Sequence, residues 1–270
     1  MDSLSPKESF RIYPKDVSSS ISQHYYNMNT KQTLDFVKRK IQEYSDRPKI
    51  SRTVKEVLRT LDNFVDPSDP DTTEGNSIHA YQTAERIRQD FPTEEWFQVL
   101  GLLHDLGKFL FTFGEPSFCV VGDTFVVGCQ YDPSSLYYEF FKDNPDFETY
   151  AQLNPPYGIY SPSCGLKNLN FSWGHDEYLY RVLLDNQDKH SLPPLAMAII
   201  RYHSCYPLHT YDAYTYFLNK DDGDFETLRW LKIFSSYDLY SKKDPFVLTP
   251  EIETYYDNLL SKFFPQPLLW

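Results

Sequence analysis

The segment Trp96-Phe97-Gln98-Val99-Leu100-Gly101-Leu102-Leu103-His104-Asp105-Leu106 constrains this chain more than any other. Trp96, Phe97, Val99, Leu100, Leu102, Leu103 and Leu106 make its helix strongly apolar, so the His104-Asp105 pair must enter or border the core. Burying an imidazole and a carboxylate without compensation costs several kcal/mol per charge. A divalent or trivalent metal ion removes that cost, and a mixed imidazole–carboxylate set suits Fe, Mn or Zn. Neighbouring helix residues point about 100° apart. Both side chains can therefore reach one ion only where the backbone lets them lean inward, or else the carboxylate bridges two ions. A plain buried His–Asp hydrogen bond is the alternative.

The remaining pattern predicts a mostly helical chain. Leu34, Val37, Ile41 and Tyr44 share one stripe, and Val54, Val57, Leu58, Leu61 and Phe64 another, with Arg47-Pro48 ending the first helix. Asp66-Pro67-Ser68-Asp69-Pro70-Asp71 reads as an acidic turn. Ser77 caps a helix running to about Asp90, Thr93 caps the next, and Gly107 stands where a helix C-terminus would want it. Further helices are expected near 134–142, 175–187, 194–205, 225–241 and 250–263, the last opened by Thr249-Pro250. Cys119 to Val127 predicts two short β segments around a Gly122-Asp123 turn. Residues 1–29 carry no sustained period and read as an arm, leaving 30–270 as one helical domain.

Composition narrows the partners. With 26 Lys and Arg against 38 Asp and Glu, a formal charge of −12 argues against nucleic acid and against an anionic membrane surface. The apolar run Leu195–Ile200 is far too short to span a bilayer, and the N-terminus lacks a secretory pattern. Cys119, Cys129, Cys164 and Cys205 have no zinc-like spacing and read as reduced thiols of a cytoplasmic protein. Tyr and Phe are abundant, 22 and 20 residues, which suits either a pocket for a polar small molecule or ordinary core packing.

Four of the seven histidines fall in predicted helices: His79, His104, His175 and His203. Asp238 sits on the same helical stripe as Leu228, Leu231 and Phe234, and an acid there needs a partner, either Lys242 one turn on or a metal. The order His79, His104-Asp105, Asp238 is the H…HD…D pattern of the all-helical HD-domain superfamily. The words NSIHAYQTAE, WFQVLGLLHDLGKFL, FGEPSFCVVGDTFVVGC, SWGHDEYLY, IIRYHSCYP and YDLYSK resemble the myo-inositol oxygenases from about Tyr25 to Trp270, as does Phe10-Arg11-Ile12-Tyr13.

That resemblance implies an all-α, HD-domain-like bundle with a small β-hairpin, and a mixed-valent Fe(II)/Fe(III) pair. His79, His104 and Asp238 would hold one iron, His175 and His203 the other, and Asp105 would bridge them. It implies myo-inositol and O2 as substrates, ring opening between C1 and C6, and D-glucuronate and water as products. Substrate contacts would come from Arg11, Asp66, Ser68, Lys108, Gly122, Asp123, His203, Ser204 and Lys242, with Lys108 and Asp105 taking part in catalysis. Lys108 and Lys242 can neutralise an alkoxide, Asp66, Ser68 and Asp123 can accept from ring hydroxyls, and Arg11 belongs to a lid. Taken alone, Asp66, Ser68 and Asp123 read equally as turn residues. Asp176 reads as an acid supporting a neighbouring ligand or the first turn of its helix. A monomer is expected. The competing activity is a phosphohydrolase on the same scaffold, and His175 with His203 argues against it, because added nitrogen ligands suit redox-active iron.

Overall fold

The structure, a computed structural model, describes residues 13, 14, 16, 18–68, 75–241 and 246–270. Helices dominate: α1 (Ser20–Lys31), α2 (Leu34–Asp46), α3 (Val54–Thr60), α4 (Asn76–Asp90), α5 (Glu95–Leu103), α6 (Phe147–Leu153), α7 (His175–Asp185), α8 (Pro194–Tyr202), α9 (Tyr206–Tyr211), α10 (Asp224–Ser241) and α11 (Pro250–Phe263). Among the described residues, strand pairing is confined to two antiparallel pairs two residues long. β1 (Ser51–Arg52) meets β4 (Leu268–Leu269), and β2 (Val126–Val127) meets β3 (Asn170–Phe171). No described helix is long and apolar enough to cross a membrane.

The all-α expectation holds, and the β-hairpin does not form. Cys119 closes a short 3-10 turn from Ser117, and Val126–Val127 pairs with a segment more than forty residues onward. The intervening loop is held from outside: Thr124 N–H donates to the Ser204 carbonyl (3.0 Å) and Ser172 N–H to the Phe125 carbonyl (2.8 Å). Those bonds take the backbone groups a local hairpin would have used.

Part of the expected arm is also helical. α1 shows no apolar stripe because the residues it buries include Ser22, His24 and Asn29. The polar groups of His24 and Asn29 find partners in distant segments, with Asn29 donating to the Leu136 (2.9 Å) and Tyr137 (3.1 Å) carbonyls. His24 donates from Nε2 to the Val121 carbonyl (3.2 Å) and accepts at Nδ1 from the Ser117 hydroxyl (3.0 Å). Burial holds its pKa below the ordinary 6.5, although Asp66 pulls the other way. The unfolded chain therefore takes up the proton first, and stability present above pH 6.5 is lost as pH falls through the lower folded value. The wild-type urea midpoint should accordingly drop more than that of His24→Gln between about pH 7 and pH 5. Equal drops would place the acid sensitivity elsewhere.

The central packing sets the site. α4 lies on α5, α7 on α8, and α10 crosses α4, α8 and α9. Phe234 of α10 is fully buried, with its ring edge-on to Phe97, His104 and His203 (6.2, 5.3 and 6.2 Å between centroids). It forms an apolar floor beneath two of the histidines, and truncation to Ala would cost about 3–5 kcal/mol.

Candidate metal centre

Why His104 and Asp105 can both face inward is visible in the backbone. α5 ends at Leu103, and at Asp105 the chain tightens into a 3-10 segment, Leu106–Phe113. The two residues thus stand at a helix end and not within one. Residues three apart eclipse in a 3-10 turn, which puts Lys108 over Asp105, Nζ to Oδ2 at 3.0 Å. Gly107 has a different role from the expected helix stop. A Cβ there would lie 1.9 Å from the His175 carbonyl oxygen, so the bare backbone lets the 3-10 segment rest on the start of α7.

Helix ends also orient the imidazoles. The last carbonyls of a helix have no internal partner. His104 donates from Nδ1 to the Gly101 carbonyl and His203 from Nδ1 to the Ile200 carbonyl, each at 2.8 Å and each three residues back. His175 at the start of α7 donates from Nδ1 to the Val120 carbonyl at 2.9 Å. In all three the Nε2 atom points into a common space. His203 Nδ1 also lies 2.7 Å from Asp176 Oδ1, the carboxylate–histidine arrangement that raises ligand basicity.

In that space His79 Nε2 is 2.9 Å from Asp238 Oδ1, and His104 Nε2 is 3.4 Å from the same oxygen. Asp105 reaches the other way too, Oδ1 lying 3.3 Å from His175 Nε2 and 3.8 Å from His203 Nε2. The ligand atoms of His79, His104 and Asp105 form one close group, and those of Asp105, His175 and His203 a second. Asp105 is the member common to both. The structure therefore brings together all six side chains that the sequence singled out.

Three observations show that the set fits metal ions. The buried His104 Nε2 has no hydrogen-bond partner. The Nε2 atoms of His175 and His203 face each other at 3.2 Å, a repulsive contact unless a cation or a proton lies between them. Buried carboxylates of Asp66, Asp105, Asp176 and Asp238 converge here with the one ammonium of Lys108 among the described residues. Burial alone would raise the Asp105 carboxyl, yet Lys108 and His104 hold it well below its ordinary value. Burial would likewise lower His203, yet Asp176 and Asp105 hold it well above. The negative field thus favours cations at this point, as do the C-termini of α5 and α8.

A polar cavity opens over the cluster. Lys108 lies in its wall, bonded to Asp66 Oδ2 (2.9 Å) as well as to Asp105. Asp66 is itself held by Ser68, through N–H (2.9 Å) and Oγ (2.6 Å), so the turn reading of this pair and its place in the cavity both hold. Gly122 and Asp123 line the opposite side, with Gly122 at φ +111° and Met28 Sδ 2.6 Å from where a Cβ would be. Ser204 Oγ sits 3.3 Å from His175 Nε2. Arg11 and Lys242 lie outside the described residues.

Sequence reasoning passed over five cavity residues: Tyr13, Tyr25, Asn76, Tyr206 and Leu239. Tyr25 donates its hydroxyl to Asp123 Oδ1 (3.2 Å). Asn76 donates to the Phe64 and Leu61 carbonyls (2.6 and 3.3 Å), which turns its Oδ1 toward Lys108 Nζ (3.3 Å). Its one signal was its position opening the His79 helix, where a side-chain amide can reach back over the preceding turn.

A profile of the family described as "Myo-inositol oxygenase" matches residues 18–270. The chain is 44% identical over 252 residues to Inositol oxygenase 1 of Arabidopsis thaliana, covering 92% of this chain and 79% of that protein. It is 43% identical over 274 residues to a Probable inositol oxygenase of Oryza sativa subsp. japonica, covering 100% of this chain and 87% of that protein. With the Inositol oxygenase of Danio rerio it shares 41% identity over 266 residues, 98% of this chain and 94% of that protein.

Proposed function

Because the chain belongs to the myo-inositol oxygenase family, we propose that it is an oxygenase acting on myo-inositol and dioxygen. The ring opens between C1 and C6, giving D-glucuronate and water. The observation that carries this reading at the level of residues is the convergence of two ligand groups on Asp105 beneath one polar cavity. His79, His104 and Asp238 would hold one iron, His175 and His203 the other, and Asp105 would serve both. Iron supplies the redox chemistry with dioxygen that amino-acid side chains lack.

The protein's own part is binding, orientation and charge. A polyol offers only hydroxyls, so it is recognised by a ring of fixed donors and acceptors. Asp123 and Ser204 face the cavity from the loop and from the α8–α9 turn, and Tyr25 braces Asp123. Although burial would lower it, Asp105 and Asp66 hold the Lys108 ammonium above its ordinary pKa. Lys108 therefore stays protonated at neutral pH, and its role is to donate to a substrate oxygen and stabilise negative charge there, not to act as a base. Tyr13 lines the cavity, and Tyr137 donates to the Pro14 carbonyl (2.7 Å), which supports a covering role for the segment that carries Arg11. One copy holds every candidate ligand and the four cysteines are unbridged, in keeping with a cytoplasmic monomer.

Lys108→Met should raise the KM for myo-inositol about 10–100-fold, the worth of a hydrogen bond to a charged donor, while iron binding changes much less. The measurements are steady-state kinetics and iron analysis of the same preparation. Loss of iron without a change in KM would assign Lys108 to the metal centre instead. The activity itself is tested by giving anaerobically Fe(II)-loaded protein myo-inositol and ¹⁸O2, with mass spectrometry of the product. Labelled glucuronate establishes the reaction. Turnover of phosphate esters and not of inositol would return the phosphohydrolase, whose substrates the carboxylates of Asp66 and Asp123 should repel.

A further inference from the structure

Behind the cavity wall lies a buried ion pair that none of the roles above employs. Glu177 of α7 and Arg201 of α8 are 1% and 5% exposed. Arg201 Nε donates to Glu177 Oε2 at 2.7 Å, and its Nη2 lies 3.5 Å from Oε1. The guanidinium also donates to the carbonyls of Lys167 (3.3 Å) and Leu169 (3.1 Å), in the segment leading into α7. Arg181 occupies Glu177 Oε1 from one turn further along (2.7 Å). A buried, fully bonded pair of this kind is weak evidence for stability, since apolar residues of similar volume serve a core as well or better. What it provides is a fixed geometry between two elements.

Its place in the register shows which geometry. Glu177 stands two residues after His175, and Arg201 two residues before His203. The start of α7 and the end of α8 are thus tied at two separate points, His175 to His203 at the cavity and Glu177 to Arg201 away from it. A slip of α8 along α7 would separate both together. The bidentate, planar guanidinium resists that slip in a way a lysine cannot.

We propose that Glu177 and Arg201 are positioning residues that hold the His175/His203 half of the centre and leave the His79/His104/Asp238 half alone. This rests on the two-metal reading above. The test is anaerobic Fe(II) titration of the metal-depleted full chain, for wild type, Arg201→Lys and Glu177→Gln, with far-UV circular dichroism of each apo protein. Wild type should take up two equivalents. In both variants one binding step should weaken by about 10–100-fold, as for other groups that orient metal ligands, while the other step is unchanged. Arg201→Lys, which keeps the charge, should be the milder of the two. Two wild-type steps that both persist in the variants would overturn the positioning role alone. Equal weakening of both steps, or loss of apo helicity, would also overturn it, because the pair would then be holding the fold at large. A single step in wild type would overturn the two-metal reading, and this inference with it.

Discussion

Asp105→Ala is expected to empty both halves of the centre and reduce turnover to background. Its carboxylate lies 3.0 Å from Lys108, 3.3 Å from His175 and 3.5 Å from His104, and among the described residues it is the member common to both ligand groups. Removing it leaves Lys108 buried with Asp66 as its remaining carboxylate and leaves three inward-facing imidazoles without the charge that offsets a cation. Breaking one side of a buried charge pair costs about 3–5 kcal/mol, and here metal affinity is lost in addition. Iron analysis after anaerobic loading checks the result. An Asp105→Ala protein that retains two irons would contradict the bridging assignment, and Asp105→Asn separates charge from shape.

Gly107→Ala should be nearly as damaging although it touches no ligand side chain. The added carbon would sit 1.9 Å from the His175 oxygen and 2.6 Å from its carbonyl carbon, and these backbone atoms have no rotamer to change. Either the 3-10 segment bearing Asp105 and Lys108 or the first turn of α7 must move. Overpacking of a core costs about 1–3 kcal/mol, and backbone contact belongs at or above the upper end. The expected readout is a lower melting temperature together with impaired iron uptake. A variant with full iron content and wild-type stability would show that the α7 start yields freely.

Much of the centre was legible in the sequence because its chemistry is written in residue types that a core does not otherwise tolerate. An apolar helix ending in His-Asp, and an acid on the stripe of Leu231 and Phe234, each demand a partner wherever the chain folds. The helical class followed from periodicity for the same reason. What stayed hidden depended on contacts between distant segments. α1 buries a histidine and an asparagine whose partners lie about 90–110 residues away, so no local pattern announces it. The missing hairpin is the converse: Val126 and Val127 have strand character, but Asn170 and Phe171 compete for their backbone bonds. Short α6 escaped because none of its residues is buried. Gly107 was read as a helix stop since the nearby carbonyl that requires a glycine belongs to residue 175.

The wide spacing of the six candidate ligands, from His79 to Asp238, has a kinetic corollary. No short stretch of nascent chain can assemble either half, because His79 and Asp238 stand 159 positions apart and His175 and His203 must both close back onto Asp105. Long-range closures come late, after local helices have formed. Metal capture is therefore expected to be the terminal event of maturation, reporting on completion of the tertiary structure. In a refolding time course monitored by stopped flow, helicity should recover well before iron is taken up, and simultaneous recovery would mean that the metal guides the chain from the start.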